Sequence, residues 1–222
     1  MRAYPGRLAR IASVRTTLSD APMTADTPSD EAAPPDPTLS RLSAALGTLP
    51  KRGPPPVETW NPPYCGAIDM RIAADGTWFH NGSPIRRSAL VKLFASILRR
   101  EPDGRTVLVT PVESVGITVD DAPFVAVEMA VEGTGEARHI AFRTNVDDLV
   151  PLGAAHALRF EQDEAGGLRP YIHVRRDLWA LLTRALTYDL VALGEERVID
   201  GVRWFGLAAA GSFHPIAPAE AA

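Results

Sequence analysis

Two pairs of adjacent arginines, Arg86-Arg87 and Arg175-Arg176, carry the clearest chemistry in this sequence. Each pair stands immediately before a stretch with helical periodicity. Free N–H groups and the positive end of a helix dipole attract anions there, and guanidinium forks grip phosphate or carboxylate bidentately. Trp78 and Tyr171 could lie against the planar part of such a ligand, because an aromatic face accepts any nucleobase. The expected ligand-binding set is therefore Arg86, Arg87, Arg175, Arg176, Trp78 and Tyr171. The competing expectation pairs these arginines with acids such as Asp69 or Asp177, contacts that are worth little at a surface. Phe79, next to Trp78 and so on the opposite side of one strand, is expected to pack inward.

Other chemistries are poorly supported. Cys65 is the one cysteine, which excludes an internal disulfide and a cysteine-rich zinc site. No base or cation flanks it to lower its pKa, and a buried thiol is expected. His156 and His173 lie at mirrored distances from Gly166-Gly167, so they are candidate cross-strand neighbours, but two imidazoles do not complete a metal site. Asp120-Asp121 and Asp147-Asp148 are adjacent pairs whose members point opposite ways on a strand, so neither makes a catalytic dyad. Neither a Gly-x-Ser-x-Gly elbow nor a Gly-Lys-Ser/Thr corner occurs. Asp75-Gly76 and Asn81-Gly82 suit hairpin turns rather than a calcium loop, since arginine, alanine and tryptophan occupy places where oxygen ligands would be needed. No catalytic residue, metal or cofactor is expected.

Composition narrows the partners. The chain has 222 residues, 45% hydrophobic, with a net charge of -4 and a pI near 5.7. That balance argues against nucleic-acid binding, which favours a basic surface. Apolar runs fall far short of the roughly 18 residues of a membrane span. The first twenty residues hold four arginines without an uninterrupted apolar core, which speaks against a secretory signal, and Met23 offers a second start. A cytoplasmic protein is expected.

Positioning the arginines requires an alternating set of strands and helices. Residues 1–35 read as a disordered leader, and 36–63 as a short helix and proline-rich arm. Asp36 is its N-cap, Pro37 its first helical residue, and Leu39, Leu42, Leu46 and Leu49 its apolar face. Strands are expected over 67–73, 77–80 and 83–85, then a helix capped by Ser88 with Leu90, Leu93, Phe94, Ile97 and Leu98 on one face. Arg99 and Arg100 fall at its C-terminal end, where cations are favoured. Further strands are expected over 106–112, 115–119, 124–131, 139–143, 156–161 and 168–174. A second helix, capped by Asp177, would bury Leu178, Leu181, Leu182, Ala185 and Leu186 and end at Gly194. A hairpin around Asp200-Gly201, a last strand over 212–216 and a tail over 217–222 complete the chain.

The segments 85–98 and 174–187 align at a constant offset of 89 positions, matching both arginine pairs and both caps. The pattern predicts an α+β protein of two similar domains from an internal duplication, 64–122 and 123–216. Each would hold a small, mostly antiparallel sheet and one amphipathic helix.

Cys65-Gly66, Ile68-Asp69-Met70, Asp75-Gly76-Thr77-Trp78-Phe79 and Gly82-Ser83-Pro84-Ile85 resemble the opening signature of an uncharacterised bacterial family, a domain of unknown function. Residues 108–113 (LVTPVE), Asp121-Ala122-Pro123-Phe124 and Arg169-Pro170-Tyr171 continue the resemblance, which spans residues 64–216. It implies a duplicated two-domain fold with a pleckstrin-homology-like C-terminal domain. It also implies a nucleotide-like ligand at the domain interface and a part in signal transduction. The leading expectation is a non-catalytic receptor for a small anionic ligand. A protein–protein adaptor is the alternative, and a hydrolase of phosphorylated substrates the third reading.

Overall fold

The computed structural model describes residues 37–47 and 55–219. The expected leader, the second start at Met23, the start of the proline arm and the last three residues lie outside them. Helix α1, Pro37–Gly47, places proline where no N–H is needed. Its Leu42 is fully buried, and Leu39 packs on the same cluster. A single 3-10 turn, Val57–Thr59, leads into the first sheet.

That sheet is built from two three-stranded meanders. β1 (Tyr64–Ile72), β2 (Trp78–His80) and β3 (Ser83–Pro84) turn at Asp75-Gly76 and Asn81-Gly82. Helix α2 (Ser88–Ser96) then leads to β4 (Leu98–Arg100), β5 (Thr106–Val109) and β6 (Ser114–Val119). β6 lies parallel to β1, giving the order β3-β2-β1-β6-β5-β4. The second sheet contains β7 (Phe124–Glu132), β8 (His139–Thr144), β9 (Leu149–Pro151), β10 (Leu158–Gln162), β11 (Leu168–Arg175) and β12 (Leu178–Leu182). Here β12 lies parallel to β7, in the order β10-β11-β12-β7-β8-β9. Both sheets thus follow one strand plan, the first strand of one meander pairing with the last strand of the next. Helix α3 (Arg184–Ala192) and a three-stranded sheet follow, formed by β13 (Glu195–Ile199), β14 (Val202–Ala209) and β15 (Ser212–Pro218).

The structure corrects two helix assignments. Asp177 caps no helix: Arg176 and Asp177 form the turn between β11 and β12, where Arg175 pairs with Leu178. Leu178, Ala180 and Leu182 alternate into the core, a period of two that the leucine spacing disguises. Helix α3 starts at Arg184, with the Thr183 hydroxyl accepting from the N–H of Leu186. In the first domain α2 ends before Leu98, and Arg99 and Arg100 belong to β4. The 89-position alignment therefore sets helix α2 against strand β12. The likeness between the halves lies in strand order, with α2 between its meanders and α3 after them. The final strand also runs past 216, to Pro218.

One buried cluster joins the halves, with Ile72, Trp78 and Phe94 from the first and Phe124, Phe142 and Ile172 from the second. Polar contacts fix the seam around it. Asn145 accepts from the N–H of Val125 at 3.1 Å and donates to the Gly76 carbonyl at 3.3 Å. Lys92 of α2 pairs with Asp147, which also holds Arg143 at 2.8 Å. The segment around Val57 is clamped from both sides. Arg99 donates to the carbonyls of Val57 and Trp60 at 2.8 and 2.7 Å, while Arg176 pairs with Glu58 and donates to the Pro55 carbonyl at 3.3 Å.

The Arg176 clamp makes part of the stability pH-dependent. Its guanidinium holds the Glu58 carboxyl below the usual carboxylate range. A lowered folded-state pKa stabilises above the unfolded value near 4.5, and that contribution is lost as pH falls through the folded one. Glu58→Gln should therefore lower Tm at pH 7, with the gap from wild type closing as pH drops below about 4.5. A gap constant from pH 7 to pH 3 would show that the pair contributes nothing through charge.

Candidate functional site at the domain seam

Strand alternation in the second sheet sends Ile172, Val174, Leu178, Ala180 and Leu182 inward. The opposite register carries Arg159, Arg169, Tyr171, His173 and Trp179, an unusual run of cations and rings for an outer face. Arg159 sits across from Tyr171, and His173 across from Trp179. The Arg159 guanidinium lies 4.9 Å from the Tyr171 ring centroid and 4.5 Å from that of Trp179. His173 meets Trp179 edge-on at 5.1 Å, and His156 is 6.0 Å from His173. The two histidines are thus neighbours across the β10–β11 hairpin, but among the described residues no three His, Cys, Asp or Glu side chains gather as metal ligands.

Beside this strip, where the halves join, lies a hollow of about 130 Å³. Arg100 and Thr106 reach it from the first sheet, residues 121–123 form its floor, and Arg159, Asp177 and Trp179 come from the second sheet. Charges here are unevenly engaged. Asp121 is taken by Arg169 and by the Tyr171 hydroxyl, which donates at 2.9 Å. Burial, reinforced by that bond to a carboxylate, pushes the Tyr171 phenol up to about 12, so it stays a donor across the physiological range. Arg159 pairs with Glu161 at 3.0 Å, both side chains about half exposed, and Asp177 accepts from the Trp179 indole at 3.3 Å. Arg100 has only the Thr106 hydroxyl, at 3.2 Å, and no acid partner among the described residues. A guanidinium held in place without an ion pair keeps donors for an anion.

Of the six residues expected to bind the ligand, Tyr171 belongs to the strip beside this hollow and the other five do not. Trp78 is a core residue, 1% exposed and stacked on Phe94. Phe79, expected inside, faces outward beneath the Arg71 guanidinium at 4.7 Å, because alternation in β2 buries Trp78 and His80. Arg175 pairs with Asp148, donates to the Ala95 carbonyl at 2.9 Å and lies 4.8 Å from the Phe124 ring. Arg175 and Arg176 therefore hold the halves together. Arg86 and Arg87 are exposed at the entrance to α2, and neither guanidinium has a hydrogen bond or ion pair among the described residues. Arg175 also lines a separate hollow of about 230 Å³ with Ser96, Asp148 and Val174, which neither Arg86 nor Arg87 lines, so the two arginine pairs do not share it. Cys65 is exposed rather than buried.

The site residues absent from the sequence reading are Arg100, Arg159 and Trp179. Arg159 carried a readable signal, since it occupies the outward register of an expected strand, whereas the strand of Trp179 reads as a helix from its leucine spacing. Arg100 carried none, because its neighbours across the hollow come from the other domain.

Residues 55–122 match the N-terminal domain of unknown function DUF1285, and residues 123–216 match the C-terminal domain of the DUF1285 protein of unknown function. The chain belongs to the DUF1285 family. The seam hollow thus falls where the two DUF1285 domains meet. The crystal structure of a DUF1285 family protein from Silicibacter pomeroyi DSS-3 is 51% identical, with a TM-score of 0.72, covering 80% of this chain and 94% of its own. A DUF1285 family protein from Shewanella baltica OS155 is 28% identical, with a TM-score of 0.44, covering 56% of this chain and 91% of its own. No curated protein matches the chain. No helix among the described residues is long and apolar enough to cross a membrane.

Proposed function

We propose that this DUF1285 protein is a non-catalytic cytoplasmic receptor for a small anionic, nucleotide-like ligand bound where its two domains meet. The observation that carries this reading is Arg100, which has no acid partner among the described residues and lines the same hollow as Arg159 of the other domain. At about 130 Å³ the hollow takes a phosphate-sized group rather than a whole drug-sized ligand, for which several hundred Å³ are usual. The rest of the ligand would then lie outward along Trp179 and His173. A ligand touching Arg100 and Arg159 together ties the halves and so biases their arrangement, which is how binding would become a signal. The common strand order of the sheets supports descent from one duplicated unit, and a sheet followed by helix α3 suits a pleckstrin-homology-like second domain.

Calorimetry with inorganic phosphate, ribose 5-phosphate, adenosine and adenosine 5′-monophosphate tests the reading. The monophosphates should bind once per chain, and Arg100→Ala should weaken them about tenfold or more, the loss expected for a charge-assisted contact. Trp179→Ala should weaken adenosine 5′-monophosphate more than inorganic phosphate. Absence of saturable binding, or equal affinities with and without Arg100, would remove the site.

A further inference from the structure

Helix α3 covers the core with one face and leaves another over a second hollow. Leu186 and Leu190 go inward. Arg184, Thr187, Tyr188 and Val191, at the i, i+3, i+4 and i+7 positions of one face, line a cavity of about 590 Å³ whose other walls are the β10–β11 turn and the start of β11 and end of β12. That volume lies within the range of sites that enclose most of a small molecule. Leu168, Leu181 and Val191 supply an aliphatic floor, and Arg184 lies about 10 Å from Val191 along the helix.

The charge on Arg184 is the informative feature. It occupies the first position of α3, where the helix dipole disfavours a cation, so helix stability does not account for it. Among the described residues it has no carboxylate partner. Its Nε and Nη2 donate to the Tyr188 hydroxyl at 3.2 and 3.0 Å, a neutral acceptor in the place an anion would take. Of the other charged groups lining the cavity, one is held in an ion pair and one, still negative, is held by backbone N–H groups at the β10–β11 turn. Arg169 is paired with Asp121, and Asp163 accepts from the N–H groups of Ala165 and Gly167 at 3.0 and 2.6 Å.

We propose that this cavity binds a small amphipathic acid, with its anionic head on Arg184 and its aliphatic body along Leu168, Leu181 and Val191. The site is separate from the seam hollow and does not depend on it. The Tyr188 hydroxyl yields its guanidinium contact to the ligand, and the exposed Tyr188 ring is free to fold over the aliphatic chain.

Calorimetry with hexanoate, octanoate and decanoate below their micellar concentrations, and with octanamide as the uncharged isostere, tests it. One ligand should bind per chain, tightening about tenfold for every two methylenes added. Octanoate should bind at least about tenfold tighter than octanamide, as a charge-assisted contact requires. Arg184→Met should erase that preference while keeping the dependence on chain length. Val191→Trp, which fills the floor, should weaken every chain length, and Arg100→Ala should change none of them. Both lining positions lie outside the buried cluster, and circular dichroism verifies that each variant is folded. The proposal is overturned by absence of saturable binding through decanoate. It is equally overturned by several ligands per chain indifferent to both variants, or by an octanoate-to-octanamide ratio that survives Arg184→Met.

Discussion

Trp78→Ala is expected to lower stability by about 3–5 kcal/mol, the usual cost of emptying a buried tryptophan site. Trp78 is 1% exposed, and its ring stacks on Phe94 of α2 at 6.3 Å with the planes 27° apart. Truncation opens a cavity between β2 and α2 that the rigid sheet cannot collapse. The indole has a second property: its N–H is buried without a hydrogen-bond partner among the described residues. An orphaned buried donor costs about 1–3 kcal/mol. Trp78→Phe removes volume and also removes that orphan, so it should cost less than half as much as Trp78→Ala. Urea unfolding of the two variants measures both numbers. A phenylalanine variant as unstable as the alanine one would mean that the indole N–H is satisfied in solution. Ligand affinity at the seam should be unchanged in either variant, since the side chain does not reach the hollow.

What was legible in the sequence was local. Asp75-Gly76 and Asn81-Gly82 make their turns because only a few residue types tolerate positive φ, and that preference is written in the dipeptide. Ser88 to Phe94 forms a helix because its apolar spacing has one reading. Leu178 to Leu186 has two. Its leucines fit a helical stripe, yet Leu178, Ala180 and Leu182 also alternate, and parallel pairing with β7, more than fifty positions earlier in the chain, selects the strand. The same distance problem governs the arginines. Adjacency to a presumed helix suggested anion binding for Arg175 and Arg176, whereas their partners, Ala95 and Glu58, are separated from them by 80 and 118 positions. Arg100 and Arg159 became site residues only through the seam. Side-chain type was readable at each position; which cations remain without acids is a property of the assembled fold.

The second large effect is expected at Gly76, where Gly76→Ala should cost about 2–4 kcal/mol, combining the strain of a left-handed residue with overpacking. Its φ of +83° lies in the region that side chains avoid, and the turn is fixed by Gly76 N–H donating to the Ala73 carbonyl at 2.8 Å. A Cβ would stand 2.6 Å from Asn145 Nδ2 and 3.0 Å from Val125 Cγ2, both in the second domain. Asn145 cannot simply swing aside, because its amide is bonded to Val125 on one side and Gly76 on the other. The clash is therefore transmitted across the seam. A double-mutant cycle with Asn145→Ala separates the two costs. Removing Asn145 alone deprives the Val125 N–H of its acceptor, but it also vacates the space a Cβ at 76 needs, so the combined loss should fall short of the sum by about 1 kcal/mol. Urea unfolding of the four proteins gives that coupling directly. Additive losses would mean that the turn strains by itself and that the first domain's Asp-Gly corner does not bear on the second.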